Sequence, residues 1–168
     1  KCPLGKTRTR FVFGVGDPHA KIIFIGEAPG RDEDVKGEPF VGRAGKLLDK
    51  MLPEVGLRRE EVYIANILKC RPPNNRDPQP EEIDECEQHL LMQIKLLKPK
   101  VICCLGRIAA QTLLKTTMTL GAMRQRWFDY HGIKFMVTYH PAALLRTRAY
   151  TQAAMDDLRR LVDEVMKV

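Results

Sequence analysis

Four short apolar runs, rich in β-branched residues, recur along the chain, and each closes on a glycine or a polar residue. They are KIIFIG (21–26), EVYIANI (61–67), KVICCLG (100–106) and KFMVTYH (134–140). Runs of this length, bounded in this way, read as buried strands. Between them apolar residues recur at three- and four-residue steps. Residues 43–53 carry Leu47, Leu48, Met51 and Leu52, and residues 80–97 open on Pro-Glu-Glu and carry Ile83, Leu90, Leu91, Ile94 and Leu97. A further helical stretch spans 107–115, and 149–167 closes the chain with Met155, Leu158, Leu161, Val162 and Val165. These spacings predict amphipathic helices. Strands separated by helices imply βαβ units and a parallel sheet covered on both faces. The expected fold class is therefore α/β, a three-layer α/β/α sandwich around a central four-stranded parallel sheet. The segment CRPPNNRDPQP (70–80) is expected to be a loop of some length, because its Pro, Asn and Asp residues exclude regular structure.

Composition adds a size and a sign. A length of 168 residues suits a single domain, 1–168, able to bury an ordinary core. Hydrophobic residues make up 44% and charged residues 29%, and no apolar run is long enough to span a bilayer. With no signal-peptide pattern, a cytoplasmic protein without membrane attachment is expected. The 28 Lys and Arg against 21 Asp and Glu leave a net charge of +7. That excess favours a polyanionic partner, nucleic acid above all, although a solvated basic surface has the same composition. Five cysteines, at 2, 70, 86, 103 and 104, form an odd set without secretory context. They point to metal binding or to plain core use rather than to a disulfide framework.

The polar exceptions gather at strand ends. Glu27 follows the first strand within FIGEAPG (24–30), Asn66 closes the second and His140 closes the fourth. Ligands of open α/β sheets bind beyond the carboxyl ends of the strands, so these side chains are expected to line one crevice. Neither a P-loop nor G-x-G-x-x-G is present, which disfavours a nucleotide-binding protein.

Three segments, GEAPGRDEDVKGEPFVGRAGKLLDKML (26–52), NILKCRPPNNRDPQPEEIDEC (66–86) and YHPAALLR (139–146), resemble the iron–sulfur uracil-DNA glycosylases of family 4. The similarity runs in order from Cys2 to the last helix. It implies a DNA repair enzyme that flips uracil out of single- or double-stranded DNA, hydrolyses its N-glycosidic bond and leaves an abasic site for base excision repair. A monomer is the default expectation.

The resemblance also implies roles. Glu27, Ala28, Pro29, Glu33, Phe40, Asn66 and His140 match uracil-binding positions. Phe40 would stack on the base. The Asn66 carboxamide would accept from uracil N3–H and donate to O4, a pattern that cytosine reverses. His140, held extended by the proline after it, would donate to O2 as charge builds on the leaving base. Glu27 would position the attacking water and offset positive charge on the sugar, or else only organise its loop. Glu33 would crowd uracil C5 and exclude thymine. In ALLRTR (143–148), Leu144 or Leu145 would enter the duplex as a wedge and Arg146 would meet phosphate, although ordinary helix packing also explains the leucines.

A structural 4Fe-4S cluster would take Cys2, Cys70 and Cys86, with its fourth cysteine expected upstream of Lys1. Cys103 and Cys104, inside an apolar strand, read as small core residues. Two other readings stay open: a glycosylase for another deaminated base, and a non-catalytic relative that binds DNA and leaves it intact.

Overall fold

A computed structural model describes residues 3–6, 8–124 and 126–167. The apolar runs form β2 (Ile22–Gly26), β3 (Tyr63–Asn66), β4 (Val101–Leu105) and β6 (Ile133–Thr138). They pair in parallel in the order β3-β2-β4-β6, with Ile25 opposite Ala65 and Cys104, and Cys104 opposite Val137. All residues of β2 and β4 are buried, as expected for strands covered on both faces.

Alternation along the strands sorts the core into two layers. Ile22 and Phe24 pack with Leu48 and Leu52 of α2 (Arg43–Glu54) and with Leu158 and Leu161 of α7 (Thr151–Lys167). Ile23 and Ile25 pack on the opposite face with Leu90 and Ile94 of α3 (Pro80–Leu97) and with Ala109 and Leu113 of α4 (Arg107–Leu114). The helices therefore cover both faces, as the sequence pattern predicts.

The sheet is wider than that pattern. Two short edge strands, β1 (Val15–Gly16) and β5 (Phe128–Tyr130), pair antiparallel with β3 and β6 and make a mixed six-stranded sheet. Both are too short for a hydrophobic period to register. The β5–β6 hairpin turns through His131 and Gly132, whose φ values of 50° and 86° are the positive pair that a tight two-residue turn requires.

Among the described residues three further α-helices are short: α1 (Arg31–Lys36), α5 (Leu120–Arg124) and α6 (Pro141–Arg146). Helix α3 starts where its sequence says it should. Pro80 occupies the first turn, and the Glu82 carboxylate accepts from the Gln79 amide at 2.8 Å while gripping the Arg76 guanidinium at 2.7 and 2.6 Å. That grip ties the 70–80 loop to the body. Among the described residues no helix is long and apolar enough to cross a membrane.

Candidate active site

The parallel strands end side by side, with Gly26 in register with Asn66. Gly26 needs to be small. A β-carbon there would lie 2.5 Å from Asn66 Oδ1 and 2.6 Å from Phe40 Cζ, so the amide and the ring meet over its backbone. The Phe40 ring also lies 5.3 Å from the His140 ring, tilted by 33°. Phe40, Asn66 and His140 thus converge at the carboxyl ends of the strands, where the topology places a ligand.

His140 is the N-cap of α6 and sits in extended backbone, with Pro141 beginning the helix. Its Nδ1 accepts the Ala142 amide at 3.0 Å. An accepting Nδ1 carries no proton, so the neutral ring holds its proton on Nε2. Burial, reinforced by the Arg146 guanidinium and opposed by Glu33, pushes the imidazole down to about 4. At neutral pH it is an uncharged donor.

A cavity of about 310 Å³ opens beside this ring, lined by Glu27, Arg107, His140 and Arg146 among others. Burial and the nearby Asp77 carboxylate raise the Glu27 carboxyl above its ordinary range, and Arg107 pulls the other way. Neither Asp77 nor Arg107 stood out in the sequence. Arg107 had a usable signal, since it follows Gly106 at the end of β4 and obeys the same strand-end rule as Glu27 and His140. Asp77 reaches the site only through the path of the 70–80 loop, which no local pattern encodes.

Glu33 is spent on backbone. One carboxylate oxygen accepts from the Gly30 amide at 3.0 Å, and the other from Val41 and Gly42 at 2.9 and 2.8 Å. Pro29 is buried and Ala28 half-buried within the loop that carries Glu27.

The leucine pair separates. Leu144 is 2% exposed and packs in the core, whereas Leu145 is 37% exposed. The expectation of a wedge at Leu144 is therefore corrected, because the helical phase of α6 turns it inward. Leu145 stands at a groove of about 460 Å³ that also carries Arg43, Lys46, Lys50 and Arg148. Three of these cations lie on one face of α2.

Cys103 and Cys104 are buried within β4, and burial drives both thiols far up, as suits core residues. Cys70 and Cys86 are brought together in a separate small cluster with Leu4 and Leu68. The Arg8 guanidinium donates to Cys70 Sγ at 3.3 Å. Cys2 lies outside the described residues, and among those described no group of three or more His, Cys, Asp or Glu is placed to hold a metal ion. Leu4 nevertheless brings the chain that follows Cys2 into the Cys70–Cys86 cluster, which fits a shared site. Ala28 packs against the same cluster, so the cysteine lobe lies directly behind the Glu27 loop.

Residues 13–159 match the family profile described as the uracil DNA glycosylase superfamily. The chain is 48% identical over 169 residues to a type-4 uracil-DNA glycosylase of Archaeoglobus fulgidus, covering 96% of this chain and 85% of that protein. It is 46% identical over 165 residues to a type-4 uracil-DNA glycosylase of Thermotoga maritima, covering 97% and 83%. A type-4 enzyme of Saccharolobus solfataricus is 44% identical over 170 residues, covering 96% and 79%.

Proposed function

Since the chain belongs to the uracil-DNA glycosylase superfamily, with type-4 enzymes as its relatives, we propose a division of labour among its strand-end residues. The protein is a uracil-DNA glycosylase, a hydrolase of N-glycosyl bonds in base excision repair, and its substrate is uracil-containing DNA.

The flipped uracil stacks on Phe40, and stacking worth roughly 1–3 kcal/mol per base offsets part of the cost of unstacking. Asn66 reads the N3–H and O4 edge, and its position against Gly26 and Phe40 supports this role. A cytosine would leave the buried amide facing like against like, the mismatch that such sites reject most strongly. Glu33, fixed by three amides, stands as a rigid wall to which rejection of a C5 methyl group falls.

As the C1′–N1 bond breaks, its electron pair passes to the base. His140 Nε2–H donates to O2, where that charge accumulates, without transferring its proton. A neutral imidazole with its proton already on Nε2 supplies this donor with no reorganisation. Water adds to C1′ from the opposite side, oriented by the Glu27 carboxylate, which takes up the proton released. The negative charge of Glu27 also offsets the positive charge growing on the sugar. The basic groove at Arg43, Lys46, Lys50 and Arg148 holds the DNA backbone, Arg146 meets a phosphate beside the cavity, and Leu145 fills the space left in the duplex.

Cys70 and Cys86 would hold a 4Fe-4S cluster in the cysteine lobe together with Cys2 and a fourth ligand, and Arg8 would donate to a ligand sulfur. Such a cluster would cross-link the lobe, and the hydrolysis, which moves no net electrons, would need no redox step from it. Bound iron and absorbance near the visible blue test this, and a fully folded, fully active iron-free protein refutes it.

The convergence of Phe40, Asn66 and His140 carries the reading. A labelled uracil oligonucleotide, treated with the protein and then with alkali, is expected to break at the uracil. His140→Ala and Asn66→Ala are expected to abolish most of that cleavage, and full cleavage by both would overturn the assignment.

A further inference from the structure

Phe40 is held in a backbone conformation that phenylalanine does not choose. Its φ of 52° lies in the left-handed region, which costs a non-glycine residue of the order of 1–3 kcal/mol and persists only where the surroundings enforce it. The enforcing groups are identifiable. The Arg59 guanidinium donates from Nη2 to the Pro39 carbonyl at 2.5 Å and from Nη1 to the Phe40 carbonyl at 2.7 Å. Immediately beyond, the Glu33 carboxylate takes the Val41 and Gly42 amides. Two carbonyls and two amides in succession are therefore tied down by two charged side chains.

The fit is completed from below. Gly45, inside α2, lies so close to the Phe40 carbonyl that no β-carbon fits there, although glycine is a poor residue for a helix interior. Arg59 is itself aimed by Asp49 of the same helix, which accepts from Nη1 at 2.9 Å. Its side chain is only 22% exposed.

We infer that Arg59 is a positioning residue for base recognition, which sets the Phe40 ring in its stacking pose by clamping the Pro39 and Phe40 carbonyls. The inference rests on the reading of Phe40 as the platform for the flipped base. It assigns to Arg59 no contact with DNA or uracil. A lysine cannot replace it fully, because one ammonium lacks the planar fork that spans two carbonyls and a carboxylate.

The test is a double-mutant comparison on a single-stranded uracil oligonucleotide under single-turnover conditions. It uses Arg59→Ala, Arg59→Lys, Phe40→Ala and the Arg59→Ala/Phe40→Ala pair. Misplacing the ring is expected to lower kcat/KM by roughly 10- to 100-fold in Arg59→Ala, with Arg59→Lys between it and the parent. The pair is expected to be no worse than Phe40→Ala alone, since a clamp has nothing left to hold. The His140 ring protons, lying beside the Phe40 ring, are expected to shift in NMR spectra of Arg59→Ala and Arg59→Lys as they do in Phe40→Ala. Parental kcat/KM in Arg59→Ala alongside an impaired Phe40→Ala would overturn the inference alone, as would losses that multiply in the pair. Parental kcat/KM in Phe40→Ala would overturn the stacking reading and the inference with it. Should Arg59→Ala not fold, the same comparison with Arg59→Lys decides, and a lowered melting temperature with unchanged kinetics and unshifted His140 resonances refutes it.

Discussion

The Asp77 carboxylate bears electrostatically on Glu27 and, adding to burial, makes the Glu27 proton harder to lose. The two belong to different segments, one in the loop bridging the cysteines and one at the end of β2. Arg107 works against Asp77 from the start of α4.

This opposition predicts a movable acid limb. If the charged form of Glu27 is the working form, activity falls as pH drops through its pKa. Asp77→Asn removes a raising influence and is expected to move that limb to lower pH. Arg107→Ala removes a lowering influence and is expected to move it to higher pH. Glu27→Gln should abolish the limb and slow the chemistry by about 100-fold or more. Single-turnover rates across pH 4–8 measure all three.

His140 predicts a flat region instead. With its imidazole pushed down to about 4, no limb near the ordinary histidine value of 6.5 should appear, and NMR titration of the ring should find its midpoint near 4. The unfolded chain binds this proton below about 6.5 whereas the folded protein resists it, so folding stability is expected to fall as pH drops from 6.5 towards 4. His140→Ala should cost roughly 100- to 1,000-fold in rate, the loss seen when one donor to a developing anion is removed.

The α2 groove predicts a salt signature. Each phosphate neutralised contributes about 0.9 to the slope of log affinity against log salt for duplex DNA. Lys46→Ala and Lys50→Ala should each flatten that slope by about one unit, without changing the preference for uracil over cytosine. Leu145→Ala should weaken excision from duplex DNA more than from single strands, because only the duplex leaves a gap to fill.

Behind the site, Asp157 accepts from Arg124 at 2.8 and 3.1 Å, from Arg160 at 3.0 Å and from Thr138 at 2.6 Å. Thr138 ends β6 close to His140, so this network anchors the strand that delivers the imidazole. Asp157→Ala strands the Arg124 charge in a largely buried place and should destabilise the fold by about 3–5 kcal/mol, read by denaturant melts. Asp157→Asn, which retains one acceptor oxygen, should cost less.

The sequence made some of this visible for definite reasons. The central strands and long helices were legible because burial on both sheet faces leaves uninterrupted apolar runs, and helix packing leaves three- and four-residue steps. Glu27, Asn66 and His140 could be grouped because strand ends in such sheets adjoin. The edge strands escaped notice, being two and three residues long. Arg59, Asp77 and the buried Lys69, whose ammonium donates to the Phe13 carbonyl and to Gln93, depend on distant chain segments meeting. The choice between Leu144 and Leu145 turned on the phase of a short helix, which only packing could settle.

Ala28 stands with the cysteine cluster at its back and Glu27 as its preceding neighbour in the chain. Its methyl group is thus a spacer of fixed thickness between two workshops that otherwise share no parts. Enlarging it, as in Ala28→Leu, would shove the turn forward from the rear and disarm the enzyme while Phe40, Asn66 and His140 stay unaltered. An engineer grafting a different cysteine lobe onto this scaffold would have to match that depth before anything else.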